Sequence, residues 1–256
     1  MTSLKNKIVF ITGASSGIGK AAAHKFAETG ARILICARRL EKVQELAAEL
    51  RRRHNVQADA FQLDVRNQKE VDHALSNLPR GWERISVLVN NAGLSRGLDN
   101  VQEAKIEDWD EMIDTNVKGL LYVTRAVLPG MIERNEGHII NIGSVAGHWT
   151  YAKGNVYAGT KFAVNALSQG MKMDLLGTPI RVTSIDPGLV ETEFSVVRFR
   201  GDETKAKKIY EGLTPLTPGD IAESIVWAAT RPAHVNVNNI ILMATDQSAP
   251  TMVHRR

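Results

Sequence analysis

The sequence predicts an α/β protein with a doubly wound parallel sheet of about seven strands and helices on both faces. Short apolar runs alternate with longer amphipathic stretches along all 256 residues. The strand candidates are continuous apolar runs, which is typical of strands covered on both faces. The first of them ends in a glycine-containing turn that opens a helix. With 43% hydrophobic residues, the chain has enough apolar material for a single domain spanning residues 1–256.

Each apolar run predicts a strand and each amphipathic stretch a helix. Strands are predicted at 8–11, 32–37, 58–63, 87–89, 138–142, 181–185 and 240–243. Helices are predicted at 17–29, 41–53, 68–78, 108–134, 157–176 and 220–230. Gly30 follows the first helix, where a C-terminal capping glycine belongs. Pro129 and Gly130 predict a kink in the fourth helix, or the end of its regular part.

Composition excludes several classes of protein and partner. The net charge of +4 is mild, and the basic run at 51–53 is interpreted as a solvated helix end, so we expect no nucleic-acid partner. Cys36 is the single cysteine and lies in an apolar run, which favours a core position and a reducing compartment. The apolar run at 8–11 is too short for a signal peptide or a membrane span. We therefore expect a cytoplasmic protein without a membrane partner.

The turn after the first strand reads Thr-Gly-Ala-Ser-Ser-Gly-Ile-Gly over residues 12–19. Gly13 permits a tight turn, Gly17 lets the backbone approach a pyrophosphate, and Gly19 lets the helix pack closely on the strand. The helix N-terminus adds free N–H groups and the positive end of its dipole. In this position the turn predicts a dinucleotide cradle.

The end of the second strand predicts which nicotinamide cofactor binds. An NAD site usually places an acidic residue there to hold the ribose 2′-hydroxyl. Arg38 and Arg39 stand there instead, and two guanidinium groups suit a 2′-phosphate. The predicted cofactor is NADP. Asp64 and Val65 end the third strand, where Asp64 is either an acceptor for the adenine amino group or the N-cap of the next helix.

Tyr157 and Lys161 stand four residues apart and therefore share one face of a predicted helix. A nearby ammonium favours the phenolate, so Tyr157 could exchange a proton with a substrate hydroxyl. Ser144 follows the fifth strand, at the sheet edge where ligands bind, and could polarise a carbonyl. Asn116 in the long fourth helix is either an anchor for a water in a proton relay or an amide satisfied locally.

Together these motifs resemble the short-chain dehydrogenase/reductase family, whose fold is of the Rossmann type. The motifs are the glycine-containing turn at 12–19, Asn-Asn-Ala-Gly at 90–93, Tyr-x-x-x-Lys at 157–161 and Pro-Gly at 187–188. They follow one another along the chain in the same order as in the family. The resemblance implies that Ser144, Tyr157, Lys161 and Asn116 are catalytic. It implies cofactor contacts at Gly13, Ser15, Ser16, Gly17, Ile18, Gly19, Arg38, Arg39, Asp64, Val65, Asn91, Ala92, Gly93, Tyr157, Lys161, Pro187, Gly188, Val190 and Thr192. It also implies a homotetramer built through the long central helices.

Several segments resemble one branch of that family, the NADP-dependent 3-hydroxy acid dehydrogenases, which includes serine 3-dehydrogenase and malonic semialdehyde reductase. The most specific are 188–199 and 232–236, which lie outside the general motifs. The implied substrates are small 3-hydroxy acids or their 3-oxo counterparts, held by Ser144, Tyr157 and a cation. Arg198 and Arg200 both lie on the predicted substrate loop at 187–212, where either could pair with the carboxylate, and we take Arg198 as the candidate. Arg96 and Lys153 are weaker candidates.

Other functions stay open at this stage. A 3-oxoacyl thioester reductase would use the same catalytic residues but needs an open groove and a basic patch. Steroid-like substrates fit poorly with the basic substrate loop. A non-catalytic NADPH sensor on the same fold would not need Tyr157. No cluster of His, Cys, Asp and Glu has metal-ligand spacing, so we expect no metal.

Overall fold

The computed structural model describes residues 2–256 and contains the predicted parallel sheet, with strand order β3-β2-β1-β4-β5-β6-β7. Its strands are β1 (Ile8–Thr12), β2 (Arg32–Ala37), β3 (Ala58–Gln62), β4 (Ile85–Asn90), β5 (His138–Ile142), β6 (Arg181–Pro187) and β7 (Asn239–Leu242). The order reverses between β1 and β4, which creates a crevice at their carboxyl ends. The prediction of a doubly wound sheet is confirmed.

Helices cover both faces of the sheet. They are α1 (Gly17–Glu28), α2 (Leu40–His54), α3 (Gln68–Ser76), α4 (Ile106–Ile113), α5 (Leu120–Glu133), α6 (Asn155–Asp174), α7 (Glu193–Arg198), α8 (Glu203–Lys208) and α9 (Pro218–Ala229). Successive strand residues point to opposite faces. In β1, Val9 and Ile11 therefore pack in one core with α1, α2 and α9, whereas Ile8 and Phe10 pack in a second core with α3 and α5.

The long fourth helix differs from its prediction. It divides into α4, a π-helical turn over Asp114–Gly119, and α5. The helix does not end at Pro129, because α5 continues to Glu133. The irregular turn instead contains Asn116, whose side chain hydrogen-bonds the backbone of Leu94 outside the helix. This contact favours the wider turn and could not be read from the sequence.

The predicted substrate loop, 187–212, contains regular structure. Its helix α7 begins where the Thr192 hydroxyl accepts a hydrogen bond from the Phe194 N–H at 3.2 Å. Helix α8 follows, and the Asp202 carboxylate caps it by accepting from the Lys205 N–H at 2.9 Å. These side-chain caps explain how helices of six residues form beside the crevice. Within residues 2–256, no helix is both long and apolar enough to span a membrane.

Candidate active site

A cavity of about 600 Å³ opens at the carboxyl ends of the strands. The predicted cofactor residues line it, with the exception of Gly19, and so do Ser144, Tyr157 and Arg198. Gly19 and Asn116 lie beside the cavity and contact residues of its wall. The structure thus brings residues from β1, β2, β4, β5, α6 and the 187–212 segment into one site.

The glycine loop fits a pyrophosphate. Gly13 and Gly17 have positive φ values of 65° and 53°, which side-chain-bearing residues rarely adopt. A Cβ on Gly13 would lie 2.8 Å from the Ala92 Cα. The Ser16 side chain makes no capping hydrogen bond to α1, and no acidic residue lies in the first turn of that helix. The N–H groups at this helix end can therefore serve an anion.

Asn91 holds the glycine loop in shape. Its side-chain amide donates to the carbonyl oxygens of Thr12 and Gly13 at 2.9 and 3.1 Å. The Thr12 hydroxyl in turn accepts from the backbone N–H groups of Asn91 and Ala92 at 3.1 and 3.0 Å. These bonds join the ends of β1 and β4, so the loop geometry is set by the protein itself.

Arg38 and Arg39 directly follow β2 and line the cavity, as expected for a 2′-phosphate site at the end of that strand. The Arg39 guanidinium donates to the hydroxyls of Ser15 and Ser16 at 2.9 and 3.1 Å and also pairs with Glu193 at 3.0 Å. Arg38 lies 3.5 Å from Glu111. Both arginines are about half exposed, so a phosphate can reach them.

Asp64 also lines the cavity, and the structure excludes one of its two interpretations, the N-cap of the next helix. The N-cap of α3 is Asn67, whose side chain accepts from the N–H groups of Lys69 and Glu70. Asp64 instead pairs with Arg66 at 2.6 Å. Although burial alone would raise it, the hydrogen bonds from Arg66 lower the pKa of the Asp64 carboxyl. It is therefore an ionised acceptor on the cavity wall.

Tyr157 is buried near the start of α6, with 8% of its surface exposed. Burial raises the pKa of Tyr157 to about 12, although the charge of Arg198 and the Ser144 hydroxyl act in the opposite direction. Lys161 lies one turn later, 5.9 Å from the Tyr157 ring centroid, and its ammonium donates to the Ile142 carbonyl at 2.8 Å. Burial lowers the pKa of Lys161 to about 8. Tyr157 is therefore a neutral phenol at pH 7.

Ser144 lies two residues after β5 and is the N-cap of a 3₁₀ turn, Val145–Gly147. Its hydroxyl accepts from the Ala146 N–H at 3.1 Å and donates to the Pro187 carbonyl at 3.4 Å. The latter contact is long, so the hydroxyl remains available to a substrate oxygen.

Both ends of the Asn116 side chain make hydrogen bonds. Its carbonyl oxygen accepts from the Leu94 N–H at 2.9 Å, and its amide donates to the Leu94 carbonyl and the Thr160 hydroxyl. These bonds tie Asn116 to Leu94 and Thr160, which lie in other segments of the chain. The carbonyl oxygen accepts one hydrogen bond and has a second lone pair, so the part of Asn116 in a water relay stays a prediction.

Arg198 is buried, with 8% of its surface exposed, and lies over aromatic rings. Its guanidinium carbon is 5.2 Å from the Tyr157 ring centroid and 5.1 Å from that of Phe194. One terminal nitrogen donates to the Tyr151 hydroxyl at 3.2 Å, whereas Nε is buried without a hydrogen-bond partner. A buried guanidinium with an unused donor in a cavity is suited to an anion.

The other cations considered for the substrate carboxylate make contacts outside the cavity or do not line it. Arg200 pairs with the buried Asp108. Arg96 pairs with Glu111 at 2.6 Å and donates to the Val197 carbonyl at 2.7 Å, which secures α7. Neither of these lines the cavity, and Lys153 does not line it either.

Sequence reasoning missed Tyr151 and Phe194 in the cavity wall. Tyr151 precedes α6 in a turn, and nothing in its neighbourhood indicates that its hydroxyl meets Arg198, which is 47 residues away. Phe194 packs on the Tyr157 ring with a centroid distance of 5.6 Å. Its place in the Glu-Thr-Glu-Phe run after Pro187-Gly188 is the one signal that points to the site.

Comparison with known proteins identifies relatives over nearly the whole chain. A family model described as short chain dehydrogenase matches residues 7–202. NADP-dependent 3-hydroxy acid dehydrogenase YdfG of Salmonella typhi is 54% identical over 250 residues, covering 97% of this chain and 99% of the relative. Sulfoacetaldehyde reductase 2 of Chromohalobacter salexigens is 46% identical, covering 94% and 95%.

A solved structure of similar extent is the closed form of serine dehydrogenase complexed with NADP⁺. It superposes with a TM-score of 0.91 at 49% sequence identity and covers 97% of this chain and 100% of its own. The predicted family resemblance is therefore confirmed for both sequence and fold.

Proposed function

Because this chain belongs to the short-chain dehydrogenase family, we propose that it is an NADP-dependent oxidoreductase that interconverts small 3-hydroxy acids and 3-oxo acids. The observation that carries this proposal is Arg198, a buried cation with an unused Nε donor directly beside Tyr157. The names of the relatives, which include a 3-hydroxy acid dehydrogenase and a serine dehydrogenase, agree with it.

The residues of the cavity fit NADP. The glycine loop and the N-terminus of α1 would hold the pyrophosphate, and Ser15, Ser16, Arg38 and Arg39 would hold the 2′-phosphate. Asp64 and Val65 would contact the adenine, and Asn91, Ala92 and Gly93 the adjoining ribose. Pro187, Gly188, Val190 and Thr192 would surround the nicotinamide, which accepts or supplies the hydride.

Ser144, Tyr157 and Lys161 provide the proton chemistry in this proposal. Ser144 orients the substrate oxygen by a hydrogen bond. In reduction the Tyr157 phenol, which is protonated at pH 7, donates its proton to the developing alkoxide at C3. In oxidation the phenolate accepts that proton. The Lys161 ammonium favours the phenolate and would also bind the cofactor ribose. Asn116 supports the site by fixing Leu94 and Thr160.

Arg198 would bind the substrate carboxylate. Its Nε has no partner in the protein and its terminal nitrogens carry further N–H donors, so the guanidinium can supply hydrogen bonds to a carboxylate. The Tyr151 hydroxyl keeps the guanidinium in place. Loop 187–212 would be the substrate loop, because α7 carries Arg198 and is tied to the rest of the molecule through Arg96.

The test is NADP⁺ reduction, followed by absorbance, with L-serine, L-allo-threonine, 3-hydroxypropionate and 3-hydroxybutyrate. Arg198→Ala should raise KM for these acids by about tenfold to a hundredfold, because a charge-assisted hydrogen bond contributes about 1.5–3 kcal/mol. Arg200→Ala is the matched control, with a smaller effect, because its guanidinium pairs with Asp108 outside the cavity.

Two outcomes would contradict the proposal. Absence of turnover with all four acids would exclude 3-hydroxy acids as the substrate class and leave thioesters and larger carbonyl compounds as the candidates. An unchanged KM in Arg198→Ala, or a larger effect in Arg200→Ala, would remove Arg198 from carboxylate binding.

A small sulfonate-bearing aldehyde is the second candidate substrate. A guanidinium binds a sulfonate with the same donors as a carboxylate, and one relative is named sulfoacetaldehyde reductase. Sulfoacetaldehyde and malonic semialdehyde, compared by NADPH oxidation, separate the two. A higher kcat/KM for sulfoacetaldehyde than for malonic semialdehyde would mean that sulfonates, and not carboxylic acids, are the preferred class of substrate.

We also propose a homotetramer. Apolar side chains remain exposed on the central helices, with Ile113 on α4 at 40%, Leu121 on α5 at 36% and Phe162 on α6 at 42%. Phe162→Glu should reduce the mass measured by light scattering, whereas Val101→Glu, an exposed apolar residue outside the central helices, should not. A monomeric parent protein would contradict the proposal. The cytoplasmic location stays a prediction.

A further inference from the structure

Glu193 brings a carboxylate to the arginine that is proposed to bind the 2′-phosphate. It is the first residue of α7, and its half-exposed side chain lies on the wall of the cavity. One of its carboxylate oxygens accepts a hydrogen bond from the Arg39 guanidinium at 3.0 Å. The two residues are 154 positions apart in the sequence, so it is the fold that brings this acid to the end of β2.

One nitrogen of Arg39 makes most of the contacts of this side chain. Its Nη2 donates to the hydroxyls of Ser15 and Ser16 and to the carboxylate of Glu193. A terminal nitrogen of a guanidinium has two hydrogens, so three oxygen acceptors already share them. A phosphate that binds this nitrogen has to displace one of the three, and the carboxylate is the one whose charge repels it.

The position of Glu193 is set by the backbone as well as by its ion pair. The residue before it, Thr192, lies on the glycine loop, where a Cβ on Gly17 would be 3.3 Å from the Thr192 Cγ2. At the other end of α7, Arg96 donates to the Val197 carbonyl at 2.7 Å. The helix is therefore held at both ends, with the Glu193 side chain directed to the end of β2.

The other arginine at this end of the cavity has a different arrangement. Arg38 lies 3.5 Å from Glu111, but Glu111 also pairs with Arg96 at 2.6 Å. If a phosphate binds Arg38, Glu111 keeps its closer cation. Within residues 2–256, Arg39 is the one ion-pair partner of Glu193, so the charge of Glu193 is left uncompensated when a phosphate takes this guanidinium.

We infer that Glu193 is a residue that determines coenzyme specificity, because its carboxylate competes with the 2′-phosphate of NADP for Arg39. This competition reduces the preference for NADP over NAD. The inference rests on the proposed function, in which Arg39 binds the 2′-phosphate. NAD has a hydroxyl at the same position and does not need the guanidinium, so its binding is not subject to the competition.

The experiment measures the dissociation constants of NADPH and NADH by cofactor fluorescence, at low ionic strength, where exposed charges are least screened. The proteins are the parent, Glu193→Gln, Arg39→Ala and the double variant. Glu193→Gln should bind NADPH about twofold to fivefold more tightly than the parent, a modest gain because exposed ion pairs are weak. Its affinity for NADH should be unchanged. In the Arg39→Ala background the gain should be lost, because the guanidinium for which the two anions compete is absent.

Glu191→Gln is the matched control. It removes the same charge two positions earlier, from an exposed side chain that does not line the cavity, and should leave both dissociation constants unchanged. Adenosine 2′,5′-bisphosphate and adenosine 5′-monophosphate, which correspond to the adenosine ends of the two cofactors, locate the effect. Glu193→Gln should bind the bisphosphate more tightly, by a similar factor, and the monophosphate equally.

Several results would overturn the inference. These are unchanged or weaker binding of NADPH by Glu193→Gln, an equal gain for NADH, an equal gain in Glu191→Gln, and a gain that persists in Arg39→Ala. Failure of the proposed function is recognised separately. NADPH binding that does not depend on Arg39 would remove the 2′-phosphate assignment and the inference with it, whereas a parent enzyme that does not turn over the acids would change the substrate class alone.

Discussion

Arg198 lies over the ring of Tyr157, with its guanidinium carbon 5.2 Å from the ring centroid. The proposed carboxylate ligand and the proposed proton donor are therefore held at a fixed separation. One carbon atom, C2, separates the carboxylate from the reacting carbon in a 3-hydroxy acid. A substrate that binds Arg198 can present C3 to Tyr157 only if its chain has the matching length.

Chain length should therefore decide the rate. 4-Hydroxybutyrate, which has one more carbon between its two groups, should have a kcat/KM at least about tenfold below that of 3-hydroxypropionate, because misplacement by an ångström costs this much or more. Initial rates at subsaturating substrate measure the ratio. Equal values for the two acids would mean that Arg198 and Tyr157 do not bind one substrate at the same time.

Tyr157→Phe should lower kcat by about a hundredfold to ten-thousandfold, since the phenol hydroxyl is the proposed acid and base. The dissociation constant for NADPH, measured by fluorescence, should change little. Retained turnover would take Tyr157 out of the mechanism. Loss of NADPH binding would mean that the substitution has disturbed the fold or the cofactor site instead.

Arg39→Ala should weaken NADPH binding by about tenfold to a hundredfold, because a charged hydrogen-bond donor to the 2′-phosphate is lost. NADH, which has no such phosphate, should bind the variant and the parent equally. Titration of both cofactors by fluorescence makes the comparison. Parallel weakening for NADH would indicate that Arg39 supports the loop through Ser15 and Ser16 and does not recognise the phosphate.

His138 should make the fold sensitive to acid. It is buried in β5, where burial lowers its pKa well below 6.5, and its Nε2 lies 2.8 Å from the Thr183 hydroxyl. The unfolded chain takes up a proton below pH 6.5 and the folded chain does not. The free energy of unfolding is therefore highest above pH 6.5 and falls as the pH drops towards the folded pKa, by at most about 1.4 kcal/mol per pH unit.

Urea unfolding of the parent and of His138→Leu between pH 5 and 7.5 measures this effect. The variant cannot take up the proton in either state, so its stability should depend less steeply on pH. Equal slopes would assign the acid sensitivity to other groups.

The sheet and the cofactor cradle could be predicted because their signals are local. Apolar runs, the glycine loop and Arg38-Arg39 are each contiguous in the chain, and a parallel sheet brings the carboxyl ends of its strands together. The π-helical turn at 114–119 could not be predicted, because it accompanies a contact between Asn116 and Leu94 in a different segment. Helix α7 escaped prediction because its six residues are too few for a periodic pattern.

Arg198 could be proposed from the sequence but not distinguished from Arg200, two residues further on. The distinction depends on where α7 points each side chain, and one faces Tyr157 while the other meets Asp108. The contact between the Arg198 guanidinium and the Tyr151 hydroxyl had no signal in the sequence, since the two residues are 47 positions apart and meet only in the folded chain.

The bonds from Asn91 to the carbonyl oxygens of Thr12 and Gly13 have a consequence for protein engineering. They fix the backbone of Thr12 and Gly13 without the side chains that follow β2, so the start of the cradle should keep its shape when positions 38 and 39 are changed. Arg39 also contacts Ser15, Ser16 and Glu193, and Glu193 begins the helix that carries Arg198. A change of coenzyme preference should therefore require redesign of this whole contact set, including the residue on α7.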